Sequence, residues 1–224
     1  MSLIIGVLID LFDHNKEMIF ASDGRAIEYK ITDSGKIHQR IKSENAGKIK
    51  KLTPKICVGY AGKNAELFND IYEELKKQIH KMKKKNAEFF AKILRELILK
   101  ILKTKTHKKI EKKLEQFGLT NNNFCVGGVF NNGLIFIKLR SKDNYKIQIY
   151  KLEPPERTYY VIPAIDEILP KVETMLDEKL PQARDSNEIV DIIKYIISKT
   201  SEMHHSINNH VFIRRLSNKF DLEK

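Results

Sequence analysis

The sequence has little cysteine and no long apolar run. Only two of its 224 residues are cysteines, Cys57 and Cys125, and each lies in an apolar segment typical of a β-strand. A disulfide framework needs several paired cysteines, so we expect two buried free thiols, with a reactive thiol as the less favoured interpretation. A membrane-spanning helix needs about 18 consecutive apolar residues. The apolar helical candidate at residues 89–102 is interrupted by charged side chains, so we expect no membrane span.

The sequence also has no basic leader before its first apolar segment. Residues 3–9 are apolar, but this stretch is too short for the core of a signal peptide. No Gly/Ser-rich linker, repeat or low-complexity tract divides the chain. We therefore predict a cytoplasmic protein whose residues 1–224 form a single domain.

Acidic residues are scarce relative to basic ones. The chain has 41 lysines and arginines against 29 aspartates and glutamates, a formal net charge of +12. Residues 80–118 hold thirteen of the basic and four of the acidic residues, a net charge of +9, so we predict an enlarged basic helical region there. Such a surface binds nucleic acid in some proteins. A solvated lysine-rich helix face is the favoured interpretation, and nucleic-acid binding remains the lesser alternative.

Hydrophobic periodicity divides the chain into alternating blocks of strands and helices. The first sixty residues are predicted to form short strands in hairpins. Helices follow at 67–82 and 89–102. Gly118 is a plausible end of the second helix or of a short third helix. Further strands are predicted at 124–130, 134–139, 145–152 and 158–162, helices at 164–180 and 187–200, and a last strand at 210–213. This order predicts the α+β class: a four-layer αββα sandwich, with two antiparallel sheets face to face and a helix pair on each outer side.

The first strand, residues 2–10, carries the chemistry that we consider most informative. An α-amino group has a pKa of roughly 7.7–8.0 and is a usable base at neutral pH, so a serine at a fixed terminus can act as a nucleophile. Such a nucleophile also needs a nearby ammonium, a carboxylate to hold it, and a backbone N–H for the oxyanion. Lys48, Asp23 and Gly62 lie at predicted strand ends where they could supply these groups.

With this spacing, the sequence resembles the N-terminal-nucleophile hydrolases of the proteasome β-subunit type, and especially the HslV peptidase. The resemblance covers most of the chain. The matching segments are Gly6, Ala21-Ser22-Asp23-Gly24-Arg25, Lys48-Ile49-Lys50-Lys51-Leu52, Gly59-Tyr60-Ala61-Gly62 and Val126-Gly127-Gly128-Val129.

The resemblance implies a catalytic role for each of four residues. Ser2, exposed by removal of Met1, would be the nucleophile, and its α-amine the base. Lys48 would tune the pKa of that amine, Asp23 would hold Lys48, and the N–H of Gly62 would line the oxyanion hole. The resemblance further implies hydrolysis of peptide bonds in unfolded chains, self-association into stacked rings, and an ATPase or ring-cap partner.

Two segments depart from the family pattern and favour an alternative. The family's Gly-Ser-Gly turn after the second sheet is replaced by residues 161–166, Val-Ile-Pro-Ala-Ile-Asp. Of the turn before the last strand only Ser206 is retained. The alternative is a catalytically inactive ring or partner-binding subunit of the same fold. We predict no cofactor and no metal, because His204 and His205 have no third ligand at a suitable spacing.

Overall fold

A computed structural model describes residues 2–11, 15–31, 37–79, 86–116, 121–131, 133–151, 158–163 and 166–217. Its strands are β1 (Leu3–Leu11), β2 (Asn15–Asp23), β3 (Ala26–Ile31), β4 (Ile37–Ser43), β5 (Ile49–Thr53), β6 (Ile56–Gly62), β7 (Asn122–Phe130), β8 (Gly133–Arg140), β9 (Gln148–Lys151), β10 (Thr158–Pro163) and β11 (Val211–Ser217). Its α-helices are α1 (Ala65–Ile79), α2 (Ala87–Leu102), α3 (Lys105–Glu115), α4 (Leu169–Lys179) and α5 (Ser186–Met203). Predictions that concern residues 12–14, 32–36, 80–85, 117–120, 132, 152–157 and 164–165 lie outside the described residues.

The described strands form three antiparallel sheets. A four-stranded sheet has the order β10-β1-β2-β11, and a five-stranded sheet has the order β5-β6-β7-β8-β9. The hairpin β3–β4 forms a separate two-stranded sheet. The prediction of antiparallel sheets is confirmed, but their number differs from the predicted two because β3 and β4 pair only with each other.

Strand β1 is buried on both faces, which explains its uninterrupted apolar sequence. Its odd-numbered residues from Leu3 to Ile9 share a hydrophobic cluster with α4 and α5. Ile4 and Leu8 share a second cluster with residues of the five-stranded sheet. Gly6 is required by close packing, because a Cβ atom there would lie 2.8 Å from Cε2 of Phe136.

The amphipathic helices bury the apolar stripes that the sequence predicts. Helices α1 and α2 form a hydrophobic cluster with the five-stranded sheet, while α4 and α5 do so with the four-stranded sheet. The coarse prediction of an α+β chain with antiparallel sheets and flanking helices is therefore confirmed. Among the described helices, none has both the length and the apolar character needed to cross a membrane.

Helix boundaries differ from the predicted ones where local capping decides them. Thr104 begins α3 as a separate helix, since its side chain accepts a hydrogen bond from the N–H of His107. Asp185 lies three residues before Glu188, a spacing in the sequence that predicts a helix cap. It caps α5 accordingly, since its side chain accepts from the N–H groups of Asn187 and Glu188. In the described part of the helix predicted at 164–180, residues 166–168 form a 3-10 turn, and α4 then starts at Leu169 with a proline in its first turn.

Candidate active site

A buried ion pair joins the end of β2 to the start of β5. Asp23, the last residue of β2, is fully buried, and Lys48, which precedes β5, is 7% exposed. The ammonium of Lys48 lies 2.7 Å from each carboxylate oxygen of Asp23. Burial lowers the pKa of Lys48, and the neighbouring Asp23 carboxylate opposes that shift.

The carboxylate of Asp23 is also bound to the backbone at the first residues of the chain. Its Oδ1 accepts from the N–H of Leu3 at 2.8 Å, and its Oδ2 accepts from the N–H of Arg25 at 3.1 Å. Leu3 follows Ser2 directly, so the ion pair is tied by a hydrogen bond to the peptide unit of the candidate nucleophile. Ser2 itself is 5% exposed.

The turn after Asp23 is fixed by a loop from the other end of the chain. The N–H of Gly24 donates to Oδ1 of Asn208 at 2.8 Å, and a Cβ atom on Gly24 would lie 2.5 Å from the carbonyl oxygen of Glu44. Arg25 donates to the carboxylate of Glu44 at 3.1 Å and to the carbonyl oxygen of His205. The loop between α5 and β11 therefore supports this side of the site.

Gly62 lies at the junction between β6 and α1. A Cβ atom on Gly62 would lie 2.3 Å from the hydroxyl of Tyr60 and 2.9 Å from the carbonyl oxygen of Asn121, so only glycine fits without displacing its neighbours. The Tyr60 hydroxyl accepts from the N–H of Asn64 at 2.8 Å and donates to Oδ1 of Asn122 at 2.5 Å. These bonds hold the backbone on both sides of Gly62.

A carboxylate on α3 completes this network. Glu111 accepts from the side-chain amides of Asn64 and Asn122, each at 2.9 Å. Nearby, the buried His107 lies 2.9 Å from Oδ2 of Asp70. Sequence reasoning missed this network, because its members come from four separate elements and no local spacing links them.

Ser2, Lys48 and Gly62 line one cavity of about 260 Å³. The structure thus brings three predicted site residues to one cavity, and the fourth, Asp23, contacts Lys48. The cavity is also lined by three cations to which the sequence analysis gave no role: Arg25, Lys50 and Lys63. Lys50 could have been found by its spacing, since it lies two residues beyond Lys48. Burial lowers the pKa of Lys50 and of Lys63.

Comparison with solved structures adds an independent observation on the fold. One match is Anbu (ancestral beta-subunit) from Yersinia bercovieri, with a TM-score of 0.64 over 97% of this chain and 81% of that one, at 13% sequence identity. The fold is similar to that of Anbu. At this identity the likeness shows a shared proteasome-like fold alone. A scan against protein-family models and a search of curated proteins gave no match.

The assignment of the sequence to the HslV-like peptidases is corrected by these comparisons. The structural match is to an ancestral beta-subunit, and no family model matches the chain. The short motifs around Asp23, Lys48 and Gly62 were too few to separate one subgroup of this fold from another. The roles of Ser2, Asp23, Lys48 and Gly62 remain predictions.

The two histidines before the last strand lie beside Ser206. The hydroxyl of Ser206 is fully buried and lies 2.7 Å from Nδ1 of His204, and the rings of His204 and His205 stack with centroids 4.8 Å apart. Within the described part of the chain, no group of three or more His, Cys, Asp or Glu side chains has the geometry of a metal site.

Proposed function

We propose that this chain is an N-terminal-nucleophile peptidase in which Ser2, freed by removal of Met1, attacks the peptide bond. The observation that carries the proposal is the buried Lys48–Asp23 pair, hydrogen-bonded through Asp23 to the N–H of Leu3. A buried lysine is costly to keep charged without a partner. Its placement beside the first residues of the chain is what an N-terminal amine base needs.

The proposed reaction follows from the groups that line the cavity. The hydroxyl oxygen of Ser2 attacks the carbonyl carbon of the scissile peptide bond, and its α-amine accepts the hydroxyl proton. The backbone N–H at Gly62 donates to the oxyanion, a contact whose removal in other enzymes costs about 10²–10³-fold in kcat. The amine returns the proton to the leaving nitrogen, and water then hydrolyses the ester.

Lys48 and Asp23 each have a separate role in this chemistry. The positive charge of Lys48 disfavours protonation of the nearby α-amine, which keeps the amine available as a base. Asp23 holds the lysine in place through both carboxylate oxygens, and its bond to Leu3 fixes the backbone that carries the nucleophile.

The architecture and assembly belong to the same proposal. We infer that the three hydrophobic clusters correspond to a four-layer αββα sandwich, formed by a single domain over residues 1–224. The subunit is proposed to self-associate into rings, to admit an unfolded polypeptide as substrate, and to bind an ATPase or ring-cap partner. Sedimentation velocity tests the self-association, and a monomer at micromolar concentration would contradict it.

The decisive experiment combines the mass of the N-terminus with a covalent label. Protein with Met1 removed is incubated with a peptide epoxyketone or boronate, and the modified residue is located by mass spectrometry while fluorogenic peptides report hydrolysis. We expect one label, on Ser2, and activity that disappears in Ser2→Ala. The control Ser201→Ala, on helix α5 and outside the cavity lining, should hydrolyse peptides like the parent. An unlabelled protein that has lost Met1 and hydrolyses no peptide would refute the proposal.

One observation favours the alternative, a catalytically inactive subunit of the same fold. Strand β10 pairs with β1 so that Pro163 lies opposite Leu3, and the carbonyl oxygen of Pro163 accepts from the amide of Asn123 at 2.9 Å. A hydrogen-bonded apolar strand thus ends beside Ser2, where the resembling family supplies a serine turn. Retention of Met1 in the native protein would favour this alternative, since the amine of Ser2 would then be blocked.

A further inference from the structure

The cavity beside Ser2 is lined by charges of one sign. Four cations contribute to it, namely Arg25, Lys48, Lys50 and Lys63, and among the described residues no carboxylate lines it. Cavities lined by one sign of charge raise the local concentration of ligands of the opposite sign. The positive charge of this cavity therefore bears on which substrate side chain it can accept.

Two of these cations are neutralised by carboxylates that lie behind the cavity wall. Arg25 forms an ion pair with Glu44 at 3.1 Å, and Lys48 forms one with Asp23 at 2.7 Å. Neither carboxylate lines the cavity. These two cations are committed to structural partners.

Lys50 differs from them in the nature of its partners. Its ammonium lies 2.7 Å from the amide oxygen of Asn69 and over the rings of Phe68 and Tyr72, at 5.2 and 4.8 Å from their centroids. These three partners are neutral, and within the described part of the chain Lys50 forms no ion pair within 4 Å. The carboxylate of Glu73 raises the pKa of Lys50 without forming such a pair, and the ammonium of Lys76 lowers it. The aromatic rings and the amide orient its ammonium without cancelling its charge.

The cavity has the size and the walls of a side-chain pocket. Its volume of about 260 Å³ exceeds the roughly 150 Å³ in which an engineered apolar cavity can bind benzene. Phe68 and Ala65 contribute apolar wall, on which the methylene groups of an extended side chain can pack. A glutamate or aspartate side chain therefore fits both the volume and the charge.

We propose that this cavity binds an acidic side chain of a peptide, glutamate or aspartate, and that Lys50 is the residue that selects it. This inference rests on the proposed function, because it places the acidic residue next to the bond that Ser2 attacks. Lys50 acts on the bound carboxylate by a charge-assisted hydrogen bond, which is about twice as strong as a neutral one. A lysine or arginine side chain in the same cavity would meet the ammonium of Lys50, which has no ion-pair partner among the described residues, and be rejected.

The test compares peptides that differ only in the residue before the scissile bond: glutamate, its neutral isostere glutamine, leucine or lysine. We expect kcat/KM for the glutamate peptide to exceed that for the glutamine peptide about tenfold, as a charge-assisted bond replaces a neutral one. Lys50→Met should reduce this ratio to about two or less, and Lys50→Arg should retain it. The matched control is Lys51→Met, because Lys51 is the next residue of β5 and is exposed.

A binding arm keeps the inference separate from the peptidase proposal. Isothermal titration calorimetry on Ser2→Ala measures acetylated tetrapeptides that end in glutamate or in glutamine. If no peptide is hydrolysed but the glutamate peptide binds about tenfold more tightly and loses this advantage in Lys50→Met, the pocket assignment holds and the peptidase proposal fails. If the peptides are hydrolysed without preference for glutamate, or if both tetrapeptides bind equally, the pocket assignment is overturned.

Discussion

Replacing Lys48 with methionine removes the cation of the buried pair and keeps most of the side-chain volume. At 2.7 Å and an effective dielectric constant of about 20, the two charges attract each other by roughly 6 kcal/mol. Desolvation of each ion costs several kcal/mol, so the net contribution of the pair to stability is small. Removing one partner is different, because the remaining Asp23 carboxylate stays buried and loses its counter-charge.

We therefore expect Lys48→Met to lower the free energy of unfolding by about 3 kcal/mol, the low end of the usual 3–5 kcal/mol. The low end applies because Asp23 keeps two backbone donors, Leu3 and Arg25. In the double variant Asp23→Asn/Lys48→Met no charge remains and the amide oxygen can still accept from Leu3. The free energy of unfolding of this double variant should be about 1 kcal/mol below that of the parent, which is the order of one hydrogen bond.

Urea unfolding followed by circular dichroism measures both values. The matched control, Lys51→Met, should lie within about 0.5 kcal/mol of the parent, as exposed substitutions usually do. A Lys48→Met variant as stable as this control would show that the pair is not buried in solution. The single variant Asp23→Asn is measured in the same way. A double variant that loses as much as Asp23→Asn and Lys48→Met together would refute the reasoning that an unpaired charge causes the loss.

Two further predictions concern the site's support and the buried thiols. Glu111→Ala removes the acceptor of two asparagine amides and should lower the free energy of unfolding in urea by about 2 kcal/mol or more. Glu115 is exposed on the same helix, so the control Glu115→Ala should be as stable as the parent. Equal stability of the two variants would contradict the network. Burial raises the pKa of Cys57 from 9.0 to about 11, so between pH 9 and 11 the unfolded thiol loses its proton while the folded thiol keeps it. The unfolded state then binds fewer protons, and stability falls with rising pH across that window. Cys57→Ala should make this part of the pH profile of the unfolding free energy less steep, and Cys125, whose pKa burial also raises, accounts for part of the slope that remains. An unchanged slope would contradict the shift.

The elements that were predictable are those whose signal is local. Strand β1 and helix α5 were recognised from apolar patterning, and the cap of α5 from the spacing of Asp185 and Glu188. The burial of Cys57 and Cys125 as free thiols is confirmed, because both lie in strands that are buried on each face. Local sequence determines period and capping, and for these elements tertiary packing agreed with both.

The parts that were not predictable depend on contacts between distant residues. Lys50 and Asn69 meet across β5 and α1, while Glu111 reaches residues that precede it by 47 positions and follow it by 11. The β3–β4 hairpin likewise forms its own two-stranded sheet, although the edges of the two larger sheets were alternative pairing partners. Hydrophobic periodicity does not predict these long-range contacts and strand pairings, because they depend on which surfaces the rest of the fold leaves open.

The position of Ser2 follows from the same packing that stabilises the chain. A terminus usually frays unless other elements hold it, but β1 is paired on one side with β10 and on the other with β2, and its residues contribute to two hydrophobic clusters. Opening the strand would expose buried apolar surface on both faces and break both ladders. The cost of displacing the strand that follows Ser2 therefore approaches the cost of unfolding the four-stranded sheet, and the hydrogen bond from Leu3 to Asp23 extends that rigidity to the ion pair. For this reason the sheet itself holds the backbone next to Ser2 in place.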